Sequence, residues 1–196
     1  LIKENAKKSM RLVATAFSKN WVKNDKLPDD LTLISLVALR DQIRTGVDDV
    51  IKTLNKSKVQ VMMITGDNLD TAQAIAIDCG IISNESDVAL TAAEFDKLSD
   101  KDAKKSLSKI KVIARATPST KLRVVHLAQS MNKCIGMCGD GTNDAPALKG
   151  ADVGFAMGDG TDVSKEAGDI IITDNNSTSV NAFLFFFINI TIFCQY

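Results

Sequence analysis

The sequence has one histidine, His126, in 196 residues. That scarcity all but excludes a histidine-ligated metal or a Ser-His-Asp triad. Net charge is also missing, because 24 basic and 24 acidic side chains cancel. A strongly basic nucleic-acid surface and an acidic tail are therefore not expected, and nucleic acid is no partner of this chain. The four cysteines, Cys79, Cys134, Cys138 and Cys194, include no CxxC pair. Cys134 and Cys138 stand four apart in an apparent strand, about 13 Å by strand rise, which is too far to share one zinc. They read as reduced, mostly buried thiols of a cytosolic compartment. No GxxxxGK[ST] string occurs, so a P-loop is ruled out. The opening LIKENAKKSM lacks the apolar run of a signal peptide. It also lacks an initiator methionine, which suggests a piece of something longer. The final AFLFFFINITIFCQY (182–196) is very apolar, yet short of the roughly 20 residues of a spanning helix. It reads as the start of a membrane segment or as a buried terminal helix.

Apolar residues make up 45% of the chain and charged ones 24%, enough for one well-packed domain or a domain with a fragment of another. The charged stretch DKLSDKDAKKSLSKIK (96–111) reads as a solvated helix face. Elsewhere short apolar strands alternate with helical patterns. LTLISLVAL (31–39), VQVMMIT (59–65), KVIARA (111–116), CIGMC (134–138), DVGFAM (152–157) and DIIIT (169–173) read as strands. The segment 46–57 reads as a helix with Val47, Val50, Ile51 and Leu54 on its apolar face. Another, 70–80, closes at Gly80. A third, 118–130, starts with Thr117 as N-cap and Pro118 in its first turn. Alternating β and α with fully apolar strands predicts a three-layer α/β fold on a parallel sheet. Ligands of such sheets bind at the carboxyl ends of the strands.

Those ends carry Thr65-Gly66-Asp67-Asn68, then TPSTK with Lys121, then Gly139-Asp140-Gly141-Thr142-Asn143-Asp144. Each residue has a plain structural reading. Thr65 and Asn68 suit a helix cap, and Asp140 and Asp144 suit a helix N-terminus. Lys121 fits least well, because a cation in a first helical turn opposes the helix dipole. Taken together they can hold a phosphoryl group. Hydroxyl and backbone N–H groups bind its oxygens, a lysine offsets its charge, and the carboxylates of Asp140 and Asp144 hold Mg²⁺. A second acidic glycine loop, Gly158-Asp159-Gly160-Thr161, follows the next strand. It reads as a turn, with Thr161 or Asp162 capping the following helix.

TGD, PSTK and GDGTNDAPALKGADVGFAMG resemble the phosphorylation domain of P-type ATPases, a branch of the haloacid-dehalogenase superfamily. The resemblance covers about residues 31–176. LTLISLVALRDQIRTGV and TGDNLDTAQAIAIDCGII look most like plasma-membrane-type calcium pumps. It implies three parts: 1–27 as the end of a nucleotide-binding domain, 28–176 as the phosphorylation domain, and 177–196 as an apolar terminal segment. It implies a Rossmann-type, haloacid-dehalogenase-like sheet. It implies ATP and Mg²⁺ as cofactors, and calcium, the rest of the pump chain and a membrane as partners. The parent would be a multi-pass membrane protein with this portion facing the cytosol. By position, Thr65 and Gly66 would hold the phosphoryl group and Asp67 would support the nucleotide–phosphate site. Lys121 would contact the phosphoryl group and Arg115 the nucleotide phosphates. Asp140 would be the main protein ligand of Mg²⁺, with Asn143 and Asp144 completing the polar shell.

Three departures qualify the resemblance. The family's DPxRPxV hinge is here Asp41-Gln42-Ile43-Arg44-Thr45-Gly46-Val47, without either proline. The tail from residue 181 does not continue as the family's charged stalk helix. Most importantly, the phosphorylated aspartate of a DKTGT motif is absent. Asp174, after an apolar strand, imitates it only loosely, and 67–71 lacks the DxDx[TV] spacing of soluble phosphatases. The expectation is thus an incomplete sheet lacking its nucleophile strand, from a pump fragment inactive alone. A non-catalytic relic that binds Mg²⁺, phosphate or a partner is the alternative, followed by a soluble phosphatase of the same superfamily.

Overall fold

The computed structural model describes residues 10–20, 27–39, 43, 46–173 and 190–194. Strands β1 (Arg11–Phe17) and β2 (Thr32–Leu39) pair antiparallel as a two-stranded ribbon. Strand β2 therefore stands apart from the parallel sheet that holds the later strands. Along it every residue except Ser35 is exposed.

The large sheet contains β3 (Val61–Ile64), β4 (Val88–Thr91), β5 (Ile110–Ala114), β6 (Cys134–Gly139), β7 (Val153–Met157), β8 (Ile170–Ile172) and β9 (Ile190–Cys194). Their order across the sheet is β4-β5-β3-β9-β6-β7-β8, and every pairing is parallel. The parallel α/β architecture is as expected. Alternation along the strands sends Met63 and Val112 to one face and Met62 and Ile113 to the other. On the first face pack α1 (Val47–Lys56) and α2 (Leu69–Asp78). On the second pack α3 (Ala92–Asp96), α4 (Asp100–Ser106), α5 (Pro118–Gln129) and α6 (Ala145–Gly150). The short α7 (Asp162–Ala167) links β7 to β8.

Local rules explain these elements. Val47, Val50, Ile51 and Leu54 are the buried stripe of α1, at the predicted 3.6-residue spacing. Gly46 enters that helix with φ +89°, and Gly80 ends α2 with φ +79°, both conformations that favour glycine. Thr117 accepts from the Thr120 N–H, with Pro118 in the first turn of α5. Thr91 and Glu94 form a capping box on α3, and the Thr91 donors hold the Glu94 carboxyl below its usual pKa. The 96–111 stretch resolves into the short α4, which buries only Ala103 within its span, and the start of β5. Burial, with Asp152 nearby, pushes the Cys134 thiol up, which suits the expected unreactive thiol.

At 190–194, the described part of the tail, the chain forms the strand β9 in the middle of the sheet and not a helix. The isolated aromatic-rich pattern has no period that separates a buried strand from a helix. Residues 182–189, Asp174 and most of the 41–47 hinge lie outside the described residues. The DKTGT-bearing strand is absent from the sequence, as noted, but the central position of the sheet is not left open. Among the described residues, no helix is long and apolar enough to cross a membrane.

Candidate functional site

Strands β3, β5 and β6 all point their carboxyl ends to one rim, and the eight predicted site residues lie on the three connections that leave it. The loop after β3 is organised by its own side chains. The Asp67 N–H donates to Thr65 Oγ1 at 3.2 Å, and Asn68 Oδ1 accepts from the Thr71 N–H at 2.9 Å to cap α2. Thr65 is buried, whereas a Cβ added to Gly66 would meet no atom within 4 Å. Packing within the chain therefore does not explain that glycine.

The loop after β5 is tied to this one through backbone. The Arg115 N–H donates to the Asp67 carbonyl and the Ala116 N–H to the Thr65 carbonyl, each at 2.9 Å. Arg115 accepts a left-handed backbone, φ +56°, to make that tie. Such strain in a non-glycine residue costs on the order of 1 kcal/mol and concentrates at functional sites. Its side chain remains exposed.

Lys121 sits one turn into α5 and is 3% exposed. Its Nζ pairs with Asp144 Oδ1, whose carboxylate is fully buried. The other oxygen, Oδ2, accepts from the Gly141 N–H at 3.0 Å. Asp144 thus compensates the cation that the helix dipole disfavours, and it fixes the acidic loop to α5. Both its carboxylate oxygens are engaged from within the chain. Gly139 permits this arrangement: a Cβ there would lie 2.5 Å from Asp144 Cβ.

Asp140 and Asn143 are exposed on the same loop. Among the described residues, no three His, Cys, Asp or Glu side chains come together as a ready metal cage. Mg²⁺ needs none, because it commonly takes one or two carboxylates with waters and substrate phosphates. The exposed Asp140 carboxylate suits that role, while the buried Asp144 serves Lys121 and Gly141.

The two glycine loops have different work. The Thr161 N–H donates to the Asp140 carbonyl at 2.8 Å, and Ser164 Oγ donates to the same oxygen at 3.0 Å. Thr161 also caps α7 by accepting from the Ser164 N–H, as expected. The second loop therefore braces the first. Sequence reasoning missed Ser164 and Gly160 as part of this brace. The available signal was the small residue at each close approach. A Cβ on Gly160 would lie 2.8 Å from the Asp140 carbonyl oxygen and 2.9 Å from that of Met157. Gly160→Ala is expected to cost about 1–3 kcal/mol, the usual range for overpacking, because both neighbours are backbone. Urea unfolding of the two proteins measures it, and an unchanged midpoint would contradict the brace.

The parallel α/β sheet thus gathers carboxylates, a buried lysine and a buried threonine on the connections that leave the carboxyl ends of its strands, where ligands of such sheets bind. The chain matches the haloacid dehalogenase-like hydrolase family over residues 5–152 and belongs to it. It is similar to the calcium-transporting ATPase 1 of Lactococcus lactis subsp. lactis (strain IL1403), with 43% identity over 179 residues, 89% of this chain and 20% of that protein. It is 41% identical over 187 residues to the plasma membrane-type calcium-transporting ATPase 12 of Arabidopsis thaliana, covering 92% of this chain and 18% of that protein. The endoplasmic reticulum calcium ATPase srcA of Aspergillus fumigatus is 41% identical over 158 residues, covering 79% and 16%. The chain thus spans about a fifth of the length of the curated relatives it matches.

Proposed function

We propose that this chain is the phosphoryl-handling part of an ATP-driven P-type calcium pump, with 1–27, 28–176 and 177–196 in the parts assigned above. The carrying observation is that the buried Lys121–Asp144 pair, the buried Thr65 and the exposed Asp140 all lie on connections that leave one rim of the sheet, in a chain similar to calcium-transporting ATPases. Thr65 and Gly66 hold the oxygens of the transferring phosphoryl group, and Asp67 and Arg115 position the nucleotide phosphates. Lys121 supplies positive charge without rearrangement, because Asp144 already fixes its side chain. Asp140 is the principal protein ligand of Mg²⁺, with Asn143 and Asp144 holding the polar loop around it. Mg²⁺, when bound, offsets the charge that develops on the phosphoryl oxygens. The acceptor aspartate belongs to a segment of the parent outside these 196 residues. The parent sits in a membrane, with this portion in the cytosol and calcium as its cargo.

In the parent pump, Asp140→Asn is expected to lower the rate of phosphoenzyme formation by about 10²-fold or more, the usual scale for one lost electrostatic contact. Rapid acid quench after mixing with labelled ATP measures it. An unchanged rate would remove Asp140 from the site. A non-catalytic module that binds Mg²⁺ or phosphate is the second reading, favoured by β9 in the central sheet position. A soluble phosphatase is disfavoured by the missing DxDx[TV] spacing.

A further inference from the structure

Asp144 fixes the head of the Lys121 side chain, but an ion pair fixes only the end of a long side chain. Where the amine sits also depends on how far α5 is advanced along its axis and how it is turned. The helix dipole works against a cation at this place. Two residues on the same stretch of helix supply a second hold. With 3.6 residues per turn, Thr120 lies about 100° and Arg123 about 160° round the helix from Lys121. Both bond to α3 and its exit, away from the acidic loop that receives the lysine.

Thr120 is 1% exposed. Its Oγ1 donates to Asp96 Oδ2 at 3.1 Å and lies 2.9 Å from Oγ1 of Thr117, the N-cap of α5. The Thr120 N–H donates to the same Thr117 oxygen. Cap, first turn and α3 are thus joined in one chain of hydroxyls, in which each bond polarises the next. Arg123 donates from Nη1 to the Phe95 carbonyl at 3.1 Å and from Nη2 to the Leu98 carbonyl at 2.7 Å. Its guanidinium carbon stands 5.1 Å from the centroid of the buried Phe95 ring. Both carbonyls belong to the end of α3, where a helix leaves acceptors unsatisfied. The charges add less. Asp96 and Asp100, which the guanidinium also reaches, have side chains 46% and 72% exposed, and ion pairs in water contribute little. The hold is made by the carbonyl bonds, the ring contact and the hydroxyl chain.

We propose that Thr120 and Arg123, anchored on Phe95, Asp96 and Leu98, are positioning residues for Lys121. They set the advance and the rotation of the first turn of α5, so that the amine meets the phosphoryl group without rearrangement. Both act through Lys121 and not on the phosphoryl group itself. This deepens, and rests on, the reading of Lys121 as a phosphoryl contact.

The purified 196-residue chain and the parent test this together. Trace acetylation of the native chain, read by peptide mass spectrometry against the exposed Lys109, measures how often the Lys121 amine is accessible. Alkylation of the buried Cys79 reports global unfolding in the same sample. Thr120→Val keeps the shape and loses the hydroxyl. Arg123→Lys keeps the charge and loses the planar fork that spans two carbonyls. Each is expected to raise Lys121 labelling about tenfold with Cys79 still protected, because the first turn opens locally. Thr120→Ser should restore the native level. Should one variant unfold, the other carries the comparison. Lys121 and Cys79 labelling that rise together in both variants, or no rise in either, would mean that the two residues serve general stability alone, and would overturn the proposal. In the parent, Thr120→Val is expected to slow phosphoenzyme formation about tenfold at saturating ATP with KM for ATP unchanged, the mark of a misplaced group that acts in the transition state. Thr120→Ser should recover the rate. If Asp140→Asn slows the parent and Thr120→Val does not, the positioning role fails and the pump reading stands. If Asp140→Asn has no effect, the pump reading fails, and Lys121 labelling alone decides whether these residues hold the lysine.

Discussion

Lys121→Ala is expected to remove about 3–5 kcal/mol from the unfolding free energy of the chain, the scale for breaking one partner out of a buried ion pair. The Asp144 carboxylate is fully buried. Without Lys121, one of its oxygens keeps the Gly141 N–H and the other loses its compensating charge. A domain of this size holds about 5–15 kcal/mol in total, so the variant falls to the margin of folding. Urea titration with a constant slope measures the difference. The double variant Lys121→Met with Asp144→Leu should recover most of the loss, because an apolar pair of similar volume leaves no orphaned charge. A loss below about 1 kcal/mol for Lys121→Ala, the range of an exposed pair, would mean that the pair is solvated and does not anchor the loop.

Gly139→Ala should be comparably severe, about 3 kcal/mol or more, and for a linked reason. The added methyl would stand 2.5 Å from Asp144 Cβ and 2.8 Å from its Cγ. Neither atom is the far end of a flexible chain, so Asp144 must leave its seat. In doing so it gives up both Lys121 and the Gly141 N–H. The signature is non-additivity, as expected of residues in direct contact. In the Lys121→Ala background, Gly139→Ala should cost much less than it does alone, because the pair is already broken. Equal costs in both backgrounds would show that Gly139 matters for some reason other than Asp144.

Much of this fold was legible because burial leaves periodic traces. The α1 stripe at Val47, Val50, Ile51 and Leu54 follows the 3.6 period. Thr117, Pro118 and Gly80 carry local backbone chemistry that context seldom overrides. Lys121 stood out because it opposes a helix dipole. Its partner was harder to read: spacing shows that Asp140 and Asp144 share a loop but not which one turns inward. The brace between the two glycine loops is a backbone contact across some twenty residues, which no short pattern encodes. Strand β4, four residues long and none of them fully buried, carried too little apolar contrast to be seen. Strand β9 was missed because its place depends on two partner edges far away in sequence.

The central claim is that this chain supplies the phosphoryl-binding half of a site whose acceptor carboxylate comes from elsewhere in the parent. Incubating the purified 196-residue chain and the full-length parent side by side with γ-labelled ATP and Mg²⁺, then quenching in acid, addresses it directly. Acid-stable label is expected on the parent and none on the short chain. Stoichiometric acid-stable label on the short chain would place a working acceptor within these residues and contradict it.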